Sequence, residues 1–222
     1  MDVNSLVQTV AIYAFPVLFA ITLHEAAHGY VARHFGDMTA HAQGRISLNP
    51  LRHIDPIGTV LVPILILISS VAMGTSGLLF GWAKPVPVNY SALRHPRQNM
   101  RWVAAAGPLS NFAMALGWAA LLKLAEILPG SDFTKPLELT AFAGIQVNII
   151  LMLLNLLPIL PLDGGRILAS LLPNRAAWQY AKLERFGLIV LIVLILPPLN
   201  LLGRILNPLI DASDALIRAM VL

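Results

Sequence analysis

The chain reads as an all-α polytopic membrane protein with about four to six hydrophobic segments and a small re-entrant or membrane-associated β element. Three observations predict this class. Of 222 residues, 57% are hydrophobic and only 12% charged, where a soluble domain carries about 25% charged residues; mean hydropathy is +0.75. Five stretches contain no Asp, Glu, Lys or Arg: residues 3–23, 56–83, 102–122, 139–162 and 186–203. Each approaches or exceeds the roughly 20 residues that a spanning helix needs. Finally, Gly and Pro interrupt the second stretch and its sequel, which points to backbone other than plain helix.

The first run is expected to continue as helix through His28 to about Phe35, where Gly36-Asp37 can end it. It lacks the basic start and small-residue cleavage site of a signal peptide, so it is expected to be retained. The second run opens at Pro56, carries Pro63 and breaks at Gly74-Thr75-Ser76-Gly77. Pro85 and Pro87, at i and i+2, rule out an ordinary helix and suggest an extended edge strand over 81–88. The third run holds Ala104-Ala105-Ala106-Gly107, small residues that let helices approach closely. The fourth is disrupted at Pro158 and Pro161, just before Asp163-Gly164-Gly165. Pro197-Pro198 stops or kinks the fifth. The reading is one domain over 1–222, with a core of about 6–172 and a C-terminal membrane segment of about 184–222.

Cysteine is absent, so any metal must be held by His and carboxylate. The net charge of +4 is not gathered in a basic domain, which argues against nucleic acid. The chemistry lies in His24-Glu25-Ala26-Ala27-His28. On a helix, residues four apart share a face, so both imidazoles can hold one zinc. Glu25 between them can act as general base toward a water. A carboxylate in an apolar helix is costly in lipid and marks function.

A third ligand is needed to complete a catalytic zinc site. Asp163 is the only acidic residue between Glu138 and Glu184, and it follows a broken helix. It could instead cap a new helix; ligation is the favoured reading. His41, His53 and Asp55 are expected to make loop hydrogen bonds rather than a second metal site. Trp82, Trp102 and Tyr90 are expected at the lipid interface, and His95 in a solvated loop.

His24-Glu25-x-x-His28, Gly107-x-x-x-Asn111 and Asn155-x-x-Pro158 leading to Asp163-Gly164 run in that order from residue 22 to 166. In this the chain resembles the site-2 protease family of intramembrane zinc metalloproteases. The resemblance implies one zinc per chain on His24, His28 and Asp163, with Glu25 as base. It implies that Asn155 contacts substrate or the reacting carbonyl, and that Asn111 has a positioning role. The implied substrate is a transmembrane protein in the lipid bilayer, cut in regulated intramembrane proteolysis. The stretch read here carries no PDZ-like insertion, so it is expected to resemble the short bacterial or archaeal members. Oligomeric state is open. The rival reading is a non-catalytic metal-binding transporter or scaffold, which would not need Glu25.

All three ligands must meet at one depth, which is simplest if residues 56–83 enter and return on one side. That scheme puts most Arg and Lys on the face of residues 33–55 and 84–101. By the positive-inside rule this face is cytoplasmic, and the zinc lies toward it.

Overall fold

The computed structural model describes residues 3–61, 64–65, 83–195 and 201–221. Among these residues the regular structure is entirely helical, and no strand ladder forms. The α-helices are α1 (Val3–His34), α2 (Thr39–Ala42), α3 (Pro96–Ile127), α4 (Thr134–Asn155), α5 (Asp163–Leu171), α6 (Asn174–Ala181), α7 (Gly187–Ile195) and α8 (Leu201–Val221), with a π-helical turn over Pro56–Leu61. Three of them are long and apolar enough to cross a membrane: Val7–His34 within α1, α3 and α4. These match the first, third and fourth apolar runs. The turning point and most of the second run lie outside the described residues, as does Trp82, so the re-entrant path is not described. Of the expected strand over 81–88, residues 83–88 are described and carry no regular structure.

The first helix ends where Gly36 permits it. Gly36 has φ 104°, and the amides of Asp37 and Gly36 bond the carbonyls of Ala32 and Arg33. That pairing is the Schellman stop, which needs a left-handed residue. Asp37, fully buried, then fixes the exit. Its carboxylate accepts the amides of Thr39 (2.9 Å) and Asn89 (2.6 Å). The loop after α1 is thus joined to the segment that leads into α3.

Helix α3 is the centre of the bundle. Ala115, Trp118, Ala119 and Leu122 pack against Ala141, Ile145 and Ile149 of α4 and Ile217 of α8. Small residues set this distance: a Cβ on Gly144 would enter the Trp118 ring. Apolar packing of this kind, rather than water exclusion, holds helices together in lipid. The outer faces carry exposed Val7, Val10, Phe15, Ile127 and Ile150, as lipid-facing surfaces do. A second cluster of Ala32, Leu93, Met100 and Val103 lies at the other end, beside the polar residues of α1.

Beyond α4 the chain turns sharply through 156–162, with Ile159 N–H bonding Leu157 O and Leu162 N–H bonding Ile159 O. Helix α5 starts directly against this turn. A Cβ on Gly164 would strike the Leu156 carbonyl, and one on Gly165 would lie 2.6 Å from the Ile159–Leu160 backbone. The two glycines are what let Asp163 reach the bundle. The far end of α5 is held by Arg97 of α3, which donates to the carbonyls of Ser170 and Leu172 and to Asn174 Oδ1. The Tyr180 hydroxyl donates to Pro158 O at 2.8 Å, and burial pushes its pKa above the usual range.

Candidate metal centre

His24 and His28 sit one turn apart on α1, facing α3, and Asp163 approaches from the first residue of α5. All three are buried. His24 Nε2 and His28 Nε2 are 3.1 Å apart. Asp163 Oδ2 lies 3.2 Å from the first and 3.3 Å from the second. A tetrahedral ion with bonds of about 2.0–2.1 Å has ligand atoms roughly 3.3–3.4 Å apart. The triangle therefore has nearly the edge length that such an ion requires.

The protonation pattern fits as well. His28 Nδ1 is 2.7 Å from the Val103 carbonyl, which can only accept, so Nδ1 carries the proton. His24 Nδ1 is 2.5 Å from Asn111 Oδ1, again an acceptor. In the neutral rings both Nε2 lone pairs then point at each other and at a carboxylate. Asp163 Oδ2 is buried with no hydrogen-bond partner among the described residues. Three acceptors facing one another without a donor are satisfied by a cation, and an acceptor behind each Nδ1–H is the usual way to orient a ligating imidazole. Asp163 is the first residue of α5, one past the N-cap Leu162, and its carboxylate faces the two imidazoles.

Glycine at 107 makes room for this cluster. A Cβ there would lie 2.5 Å from His24 Cε1, His24 Nε2 and His28 Nε2. Four residues on, Asn111 is fully buried and bonds His24. One motif of α3 thus supplies both the gap and the orienting acceptor.

Glu25 points into the same cleft, of about 160 Å³, also lined by Val86, Val88, Asn155 and Arg166. Its Oε2 accepts the Val86 amide at 2.7 Å. Residues 83–88 thus run past the site even without forming a ladder. Arg45 holds them there, donating to Lys84 O (2.9 Å), Pro85 O (3.2 Å) and Arg52 O (2.7 Å). Lys84 N–H bonds His53 O. Asn155 lines the cleft, but its Nδ2 donates to Leu151 O of its own helix at 3.0 Å. His53 bonds Ser47 O, and Asp55 accepts the amides of Ile57 and Gly58, the loop bonding expected of them. His24, His28 and Asp163 form the only group among the described residues that could hold a metal ion. Tyr90, Trp102 and His95 are exposed.

Sequence reasoning missed Arg45, the Val86 amide and Asn148, whose Oδ1 accepts from Asn111 Nδ2 at 2.9 Å. The signal available for Asn148 was its amide in the middle of an apolar run, which needs a partner when buried.

Membrane-length helices that converge two imidazoles, a carboxylate and a neighbouring Glu on one cleft have the make-up of a membrane-bound metallohydrolase. Residues 130–197 match the description "Peptidase family M50". The chain is 39% identical over 202 residues to "Putative zinc metalloprotease YwhC" of Bacillus subtilis, spanning 89% of this chain and 84% of that protein. It is 31% identical over 188 residues to "Putative zinc metalloprotease Rip2" of Mycolicibacterium smegmatis, spanning 82% of this chain and 66% of that protein. No solved structure matches it. The chain belongs to peptidase family M50, the site-2 proteases, and is a zinc metalloprotease with membrane-length helices.

Proposed function

We propose that this protein is an intramembrane zinc endopeptidase that cuts peptide bonds within or near transmembrane segments, in regulated intramembrane proteolysis. His24, His28 and Asp163 hold one zinc, and Glu25 is the general base. The observation that carries this reading is convergence: three ligand atoms within 4.8 Å of one another, beside Glu25, on helices of membrane length.

Zinc, when bound, supplies Lewis-acid polarisation of the scissile carbonyl and acidifies a water. Glu25 takes the water's proton and delivers it to the leaving amine. The Val86 amide fixes Oε2, which leaves the other carboxylate oxygen for the proton. Asn155 is on the cleft wall, where turning its amide from Leu151 O would let it bond a substrate carbonyl. Asn111 orients His24. Hydrolysis needs an extended peptide, because the hydrogen bonds of an intact helix engage and shield the scissile carbonyl. Substrate helices must therefore unwind locally. Residues 83–88 form no ladder among the described residues and would receive the unwound strand by main-chain pairing through the groups that Arg45, His53 and Glu25 do not already engage.

The domain is single over 1–222, and the segment 56–83 re-enters from the side on which it began. The protein resides in a bacterial or archaeal cell membrane, with its site toward the cytoplasm, as the one-sided basic residues favour. The direct test is Glu25→Gln in purified protein. It should keep zinc and lose cleavage of a single-span substrate; near-wild-type turnover would overturn the assignment of Glu25.

A further inference from the structure

We infer that Asn148 is a positioning residue that acts through Asn111 to fix the tautomer of His24, and hence the affinity of the metal site. The inference rests on the reading of His24 as a zinc ligand. Its ground is a chain of hydrogen bonds crossing three helices. Asn148 Nδ2 donates to Gly144 O of α4 at 2.8 Å. Asn111 Nδ2 of α3 donates to Asn148 Oδ1 at 2.9 Å. Asn111 Oδ1 then faces His24 Nδ1 of α1 at 2.5 Å. Both asparagines are 0% exposed, so water cannot substitute for either partner.

The polarity of this chain is set at one end. A backbone carbonyl can only accept, so the Asn148 amide nitrogen must face Gly144. Its oxygen must then face Asn111, whose amide nitrogen turns toward it. The Asn111 oxygen is left to face His24, and Nδ1 must carry the proton. The lone pair at Nε2 is thereby assigned to the metal. Without Asn148, the Asn111 amide could flip and present N–H to Nδ1. The ring would then hold its proton at Nε2, the atom that the metal needs. Outer partners of ligating histidines are worth roughly 10–100-fold in metal affinity.

The test is the zinc dissociation constant of the full chain, measured by chelator competition in detergent. Asn148→Leu should weaken zinc about 10–100-fold. Asn148→Asp should stay within about threefold, because the buried acid, protonated, can donate its O–H to Gly144 O while its other oxygen accepts from Asn111 Nδ2. A merely structural role predicts the reverse order, since a buried acid disturbs an apolar bundle more than Leu does. In an Asn111→Leu background, Asn148→Leu should add nothing. An unchanged constant in Asn148→Leu, a weaker constant in Asn148→Asp than in Asn148→Leu, or additive losses in the double variant would overturn the inference. If Asn148→Leu does not accumulate folded, nitrogen NMR of ¹⁵N-histidine-labelled, metal-free wild type decides. His24 should carry its proton on Nδ1, and a proton on Nε2 would overturn the inference. His24→Ala separates the two readings. If it leaves zinc unchanged, the ligand assignment fails. If it weakens zinc while Asn148→Leu does not, only the role of Asn148 fails.

Discussion

Gly107→Ala is the smallest change that should dismantle the site. The added methyl would lie 2.5 Å from His24 Cε1 and Nε2 and from His28 Nε2. Carbon and nitrogen atoms prefer about 3.5 Å or more, so the rings, the helix, or both must move by roughly 1 Å. The ligand triangle, with edges of 3.1–3.3 Å, has no slack to absorb that shift. Misplacement of this size costs on the order of 100-fold in rate, and a similar displacement of ligands should reduce zinc affinity at least about tenfold. Local helix propensity works the other way, by up to about 1 kcal/mol in favour of Ala. Gly117→Ala on the same helix, where nothing among the described residues lies within 4 Å, is the control and should leave zinc and turnover unchanged. The assay is zinc content by metal analysis together with cleavage of a single-span substrate. Full zinc occupancy and wild-type turnover in Gly107→Ala would refute the argument that this glycine makes room for the metal centre.

Other consequences follow from the same contacts. Asp163→Ala should lower zinc occupancy, because two imidazoles bind less tightly than three protein ligands; unchanged metal content would remove Asp163 from the ligand set. Arg45→Ala frees the carbonyls of Lys84 and Pro85 and should reduce kcat about tenfold with zinc retained; an unaltered kcat would deny Arg45 a part in positioning residues 84–86. Arg97→Ala removes donors to Ser170 O, Leu172 O and Asn174 and should destabilise the protein by roughly 1–3 kcal/mol, read as a lower Tm. Single cysteines at Pro50 and Ala92 should label from the same side with an impermeant thiol reagent; labelling from opposite faces would show that 56–83 crosses once.

The parts of this fold that were legible in the sequence are those with local signals. Helix α1 and its stop at Gly36 followed from an apolar run and one residue able to take positive φ. The histidine pair followed from helical spacing, and Asp163 from being the lone acid after a broken helix. Long-range partners were less legible. Asn148 lies 37 residues from Asn111, and no spacing rule links two asparagines on different helices. The Val86 amide reaches Glu25 across 61 residues, and backbone donors leave no trace in residue identity. The expected strand over 81–88 rested on two prolines, which forbid helix but do not supply a pairing partner. Arg45 looked like one more basic loop residue, because its three acceptors are carbonyls.

The central claim is hydrolysis within the membrane, and the location of the cut tests it most directly. Zinc-loaded protein and a panel of single-span substrates would be reconstituted in lipid and the products mapped by mass spectrometry. New termini are expected inside the apolar segment or at its edge, absent with Glu25→Gln and after chelation. Cuts confined to soluble flanking sequence, or products that persist with Glu25→Gln, would contradict it.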